Sequence, residues 1–233
     1  MKPLAAIFPK RCVLCGEPAG DALCGDCLEG VAPLAGFCTR CGLPLRAGVF
    51  HGCGECIDRD FSFWGAVALY PYSDVKLVVV GLKFRASRLC AETMRLLTER
   101  AFEEVEAFSR FCSGCQVVVP IPLHWRRRLV REFNQVEVFA GFVSSILGIG
   151  VERLLVRKRH VRPQVGLGPR ERMLNQKGSF SVRGNVEGAR VLLVDDVATT
   201  LATLQEAART LVDAGACEVR CLAFSRAFGG DGV

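Results

Sequence analysis

The run VLLVDDVATTLAT at residues 191–203 constrains the fold more tightly than any other stretch of the chain. Four apolar residues, Val191 to Val194, lead into Asp195 and Asp196, and then into a short turn holding Thr199, Thr200 and Leu201. Behind the turn Leu204, Ala207, Ala208 and Leu211 recur at the spacing of a helix face packed on a core. Thr203 and Glu206 have the spacing of a capping box at that helix's start, and Gly215 suits its end. The pattern predicts a buried parallel strand with acids at its carboxyl end, a hydroxyl-rich loop, and a helix N-terminus. Ligands of open α/β sheets sit at such ends. Free N–H groups and the positive end of the helix dipole hold a phosphate there. Paired acids cannot serve that phosphate, but they accept hydrogen bonds from the hydroxyls of a ribose. A phosphorylated ribose is the ligand that suits this arrangement. An ordinary βα unit with a polar turn accounts for the strand and helix, but not for Asp195, Asp196, Thr199, Thr200 and Thr203 together.

The N-terminal segment is a different kind of object. Eight cysteines fall into four pairs of equal spacing: Cys12/Cys15, Cys24/Cys27, Cys38/Cys41 and Cys53/Cys56. C-x-x-C brings two thiolates onto one ion, and two such pairs complete a tetrahedral zinc site. Four pairs imply two zincs, arranged in sequence or cross-braced; spacing alone does not choose. Disulfides are the alternative. The apolar stretch at residues 4–8 is too short for an export signal, and no apolar run reaches the ~18 residues of a membrane span. A cytoplasmic location is therefore expected, and in a reducing compartment repeated C-x-x-C pairs read as metal. Closed four-thiolate coordination leaves no open position for substrate, so the sites are expected to be structural. His51 lies beside Cys53, but the eight cysteines already fill two sites. Cys112/Cys115 has no partner pair and reads as a loop feature. Cys217 and Cys221 read as small buried hydrophobes on one strand.

The formal charge of +6 drops to about +2 once eight thiolates and two dications are counted. The chain is not globally basic, and its positive charge is local. Arg126, Arg127, Arg128 and Arg131 follow an apolar run ending at Pro120, and residues 153–177 hold a second group of Arg and Lys. A solvated charged surface is the ordinary reading of such runs. Their place after a strand, and within a long aperiodic loop, favours an anion-facing role instead.

Strands are expected near 66–70, 116–120, 151–156, 190–195 and 217–224, with helices over 88–111, 133–147 and behind residue 201. Alternation of this kind predicts an α/β domain, a mostly parallel sheet with helices on both faces. The organisation expected is a double zinc-ribbon module over 1–60 and the α/β domain over 61–233.

The segment at 191–203 resembles the phosphoribosyl-pyrophosphate (PRPP) signature of type I phosphoribosyltransferases. VVPIPLHWRRRLVREFNQ, RPQVGLGPRERMLNQKGSF and VLLVDDVATTLAT behind a double zinc ribbon are together similar to the ComF family. The resemblance extends to Leu82-Lys83-Phe84 and covers the chain essentially end to end. It implies a phosphoribosyltransferase-like fold linked to DNA uptake in natural transformation. It also implies a PRPP site at Asp195, Asp196, Ala198, Thr199, Thr200, Leu201 and Thr203. Pyrophosphate would meet an anion loop with Pro122, Leu123, His124 and Arg128, together with Lys83, and no covalent catalytic residue is implied. Magnesium would accompany PRPP in an active transferase. Implied partners are PRPP or another phosphorylated ribose, single-stranded DNA, and the competence helicase machinery. Two residues depart from the family pattern, Leu201 and Glu132, each where glycine is usual. The alternative function is a transferase fold with little or no turnover, serving as a nucleotide or single-stranded DNA adaptor.

Overall fold

The computed structural model of the chain describes residues 10–46, 48–85, 87–122, 134–158 and 178–228. The N-terminal module has little regular structure: helix α1 (Gly25–Gly30) and the short paired strands β1 (Phe37–Cys38) and β2 (Val49–Phe50). Its order comes from sulfur. Cys12, Cys15, Cys24 and Cys27 form one cluster and Cys38, Cys41, Cys53 and Cys56 another, with the ligand atoms of each within 4.8 Å of one another. The ligand pairing is therefore sequential. Cys15–Cys24 and Cys38–Cys56 lie 3.7 Å apart and Cys41–Cys53 3.6 Å. A tetrahedron with Zn–S bonds of ~2.3 Å has sulfur edges of about 3.8 Å, so both clusters fit zinc. Gly16 and Gly42, at φ +79° and +73°, make the turns after Cys15 and Cys41.

Beyond the module come β3 (Gly65–Pro71), α2 (Tyr72–Arg85), α3 (Arg88–Glu104), α4 (Glu106–Cys112) and β4 (Val117–Pro120). Then follow α5 (Gln135–Leu147), β5 (Gly150–Val151), β6 (Leu155–Arg157), β7 (Phe180–Val182), β8 (Arg190–Ala198), α6 (Ala202–Asp213) and β9 (Glu218–Arg226). The main sheet has five strands in the order β3-β9-β8-β4-β5, all parallel. Helices cover both faces, which is why Val191 to Val194 can be continuously apolar and fully buried. Tyr70 and Phe224 point toward α3 and α5: the Tyr70 hydroxyl donates to the Leu97 carbonyl (2.8 Å), and Phe224 meets Phe139 edge-on.

Three expectations need correcting, and one element, α2, has no counterpart among them. The helix over 88–111 breaks at Val105 (φ −123°, ψ 86°). In a straight helix Phe102 and Phe108 would point to widely separated directions; the break lets both enter the core, with Phe108 stacked on Phe37 at 5.0 Å. The strand near 151–156 is two strands. Gly150–Val151 pairs with β4, and Leu155–Arg157 leaves the sheet to pair antiparallel with β7. Cys217 is exposed ahead of β9, whereas Cys221 is buried on it. Finally α2 has no amphipathic period to announce it, and its Val78-Val79-Val80 run favours a strand locally. Packing against α3 overrides that preference. Cys112 and Cys115 are both buried; burial raises both thiols, Cys115 to about 11, which makes the pair chemically quiet.

The zinc module covers the open edge of β3. Leu34 N–H donates to Leu69 O (2.8 Å) and Ala66 N–H to Thr39 O (2.9 Å). Arg100 of α3 donates to the carbonyls of Leu28 and Val31. His51 is no ligand: its ring stacks on Trp64 at 4.7 Å. One hydrophobic core runs through both parts. Among the described residues no helix is long and apolar enough to cross a membrane.

Candidate functional site

From β4 the chain runs outward through α5 to β5, and from β8 it runs the other way through α6 to β9. Neighbouring parallel strands whose connections diverge leave a crevice at their carboxyl ends, where ligands of open α/β sheets bind. The acids stand at this point. β4 pairs with β8 only as far as Pro120↔Val194, while β8 continues beside β9 to Ala198↔Arg226. Asp195 and Asp196 are thus inside a strand, beyond the last residue that β4 covers. The Asp196 N–H, with no ladder partner, is taken by Asp195 Oδ1 at 2.9 Å.

Alternation along β8 sends the two side chains to opposite faces. Asp196 meets α2 and α5: its Oδ2 lies 3.0 Å from Lys83 Nζ and accepts from Gln135 Nε2 at 2.9 Å. Both acids are buried. Burial, and then the neighbouring Asp196 carboxylate, push Asp195 up to about 8. Burial acts on Asp196 in the same direction, but the Lys83 ammonium and the Gln135 amide outweigh it and hold Asp196 below the usual carboxylate range. At neutral pH the pair therefore carries one charge, on Asp196, matched by Lys83. Lys83, which the resemblance groups with the anion loop, pairs with Asp196; residues 123–133 of that loop lie outside the described residues.

Thr199, Thr200 and Leu201 form the loop into α6. Leu201 has φ +66°, the only positive φ at a non-glycine among the described residues, and its side chain is 3 % exposed. The loop thus keeps the backbone shape for which glycine is usual. The capping box does not form. The N-cap position is Leu201, with no side-chain cap, and Glu206 accepts from Gly178 N–H (2.6 Å) and pairs with Arg209 (2.8 Å). Thr203 is the second helical residue rather than the cap. Thr200 Oγ1 reaches Ala202 N–H only at 3.5 Å, too long to satisfy it. The first-turn N–H groups of α6 are thus left for an anion.

At the start of α5, Asn134 caps Val136 N–H (3.1 Å). Its Nδ2 and the Oε1 of Gln135 are buried with no partner among the described residues. Gln135 closes the family-like run that ends in REFNQ, but only the fold shows that it reaches Asp196. Pro122 ends the described part of the anion loop, half-buried. Leu123, His124, Arg128 and Glu132, with the basic stretch 159–177, lie outside the described residues.

Comparison with known proteins agrees with both halves. Residues 3–57 match the double zinc ribbon domain family and residues 137–227 the phosphoribosyl transferase domain family. The DNA utilization protein YhgH of Salmonella typhimurium is 31% identical over 221 residues, spanning 91% of this chain and 95% of that protein. Competence protein F of Haemophilus influenzae is 27% identical over 94% of this chain and 98% of its own length. Competence protein ComFC of Bacillus subtilis is 25% identical over 88% and 89%. With a zinc ribbon, a phosphoribosyltransferase-type sheet and relatives aligned over nearly their whole length, the chain belongs to the ComF family of competence-related, phosphoribosyltransferase-like proteins.

Proposed function

We propose that the chain binds a phosphorylated ribose, PRPP foremost, in the crevice between β4 and β8, in the service of DNA uptake. The observation that carries this reading is the buried acid pair beyond the last residue that β4 covers, set beside an uncapped helix N-terminus. The 5′-phosphate would rest on the backbone and hydroxyls of Ala198, Thr199, Thr200, Leu201 and Thr203. Ionised Asp196 would accept from one ribose hydroxyl, while protonated Asp195 has a proton to donate and a lone pair to accept with. Asn134 Nδ2 and Gln135 Oε1, costly to leave unpaired, are polar atoms that a ligand would satisfy. Magnesium accompanying PRPP would supply charge to offset the phosphates beside Asp195 and Asp196. The chain itself contributes charge and positioning rather than a nucleophile. The link to DNA rests on relatives named as DNA utilization and competence proteins.

PRPP with magnesium at about a hundred times its Kd should stabilise the fold by about 2.7 kcal/mol, a shift of several degrees in melting temperature. Asp196→Ala should abolish the shift. Wild-type protein that melts identically with and without PRPP would refute the reading. One observation favours the adaptor alternative: Phe84, beside Lys83 at the end of α2, is 73 % exposed, and a ring so placed can stack on a base. Under that reading single-stranded DNA affinity falls steeply with salt, drops in Phe84→Ala, and is untouched by Asp196→Ala.

A further inference from the structure

The second zinc site touches the ligand loop through a short chain of contacts. Arg59, three residues after Cys56, hydrogen-bonds through its own N–H to Cys56 O (3.1 Å). Its carbonyl accepts from Nη2 of Arg40 (2.7 Å), a residue lying between the ligands Cys38 and Cys41. Both knuckles of the site therefore hold Arg59. Its guanidinium sits over the Phe61 ring at 4.8 Å and donates to the carbonyl of Thr200 at 3.3 Å. A second tie lies beside the first: Ser62 N–H donates to Gln205 Oε1 (3.0 Å), and Gln205 Nε2 donates to Ser62 Oγ (3.1 Å). Between the ties is a cavity of about 210 Å³ whose walls include Arg59, Phe61 and Leu201.

We propose that the zinc module is a positioning element for the phosphate loop, with Arg59 and the Ser62–Gln205 pair as its contacts. Leu201 holds a left-handed conformation that L-residues leave unless their surroundings over-determine it. The Thr200 carbonyl precedes Leu201, and fixing that carbonyl fixes one side of the peptide plane whose other side begins the turn. Gln205 fixes the first turn of α6 from the opposite end. The loop is pinned on both sides of its strained residue by a segment that leads directly out of a metal site. A metal cluster is the stiffest anchor that a module with so little core can offer. Arg59 and Gln205 do not touch the acid pair, so they act through the loop. The consequence for affinity rests on the reading of this loop as the phosphate seat, but the brace itself does not.

Amide hydrogen exchange on the zinc-loaded full chain separates the two. Arg59→Ala should raise exchange at residues 205–207, whose N–H groups bond back to the loop and first turn as Gln205 does to Leu201 O (2.8 Å), by about threefold to tenfold, the range for loss of one hydrogen bond of ordinary strength. Arg59→Ala with Gln205→Ala should raise it further, and Arg59→Lys should restore part of the protection. Exchange in residues 191–194 should stay as in the parent, showing an intact sheet. Arg40→Ala should add little to Arg59→Ala, because it acts through Arg59. PRPP affinity should fall by the factor by which loop exchange rises. Loop exchange unchanged in the double variant, with zinc retained, would overturn the brace. Raised exchange with PRPP affinity unchanged would overturn its role in ligand binding. If the parent binds no PRPP, the site reading fails, and exchange still decides the brace.

Discussion

Asp195 and Asp196 are adjacent and chemically identical, yet their surroundings give them opposite ionisation. The difference can be tested by mutation. Asparagine is a fair copy of a protonated Asp195 and a poor copy of an ionised Asp196 that faces an ammonium. Asp195→Asn should therefore keep most PRPP affinity, whereas Asp196→Asn should lose it and leave Lys83 unpaired, at a stability cost of about 1–3 kcal/mol. The pH dependence follows. Asp195 is raised to about 8, so between roughly pH 4 and 8 the folded state holds a proton that the unfolded chain has released. Stability contributed by that proton is complete below the unfolded value and is lost as pH rises through the folded one. From pH 6 to 8 the parent should lose up to about 1.4 kcal/mol per pH unit relative to Asp195→Asn, measurable by denaturant titration at each pH. Parallel pH profiles would show that Asp195 is ionised throughout. Leu201 poses a different conflict. Replacement by glycine relieves about 1–2 kcal/mol of left-handed strain but deletes a buried side chain worth about 2–5 kcal/mol. Leu201→Gly should thus melt lower while binding PRPP more tightly, since the backbone beside the phosphate opens. Unchanged affinity in calorimetry would mean the leucine never obstructed it.

At the level of elements, strands were easier to anticipate than the helix that completes the site. β8 and α6 announce themselves by an apolar run and a clean helical face. α2 does not, although it supplies Lys83. Its Val78 and Val79 are buried while Leu77 and Phe84 are exposed, a distribution that no simple polar–apolar period encodes. Gly65, at the start of β3, is the element-scale counterpart of Leu201. A Cβ there would collide with the Thr39 carbonyl of the zinc module, so the strand can approach the module only as glycine. Gly65→Ala should force the two apart, lengthen the Ala66–Thr39 hydrogen bond and cost about 1–3 kcal/mol by overpacking. A melting temperature equal to the parent's would show that the seam yields.

On the scale of the whole molecule, the two parts share one core. Phe37 is fully buried against Phe108, and residues 34–39 finish the edge of β3. An open edge is a liability that folds cover or blunt; here the metal module covers it. Chelation of zinc should therefore do more than unfold the N-terminal module. The whole chain should melt earlier in a single transition, and α/β-domain amides near β3 should lose protection. Two independent transitions, with the upper one unmoved by chelator, would refute a shared core.

The four C-x-x-C pairs and the 191–203 run determine, without any structure, that a metal module precedes a parallel α/β sheet with two acids at a strand's carboxyl end. These are local facts, carried by thiolate spacing and by periodicity within single elements. Sequential zinc pairing, the ionisation of Asp195 against Asp196, the positive φ of Leu201 and the reach of Arg59 to Thr200 are decided only in three dimensions. Each depends on which side chains from distant segments share one low-dielectric space, where burial and a single neighbouring charge set the outcome. No window of sequence contains both partners.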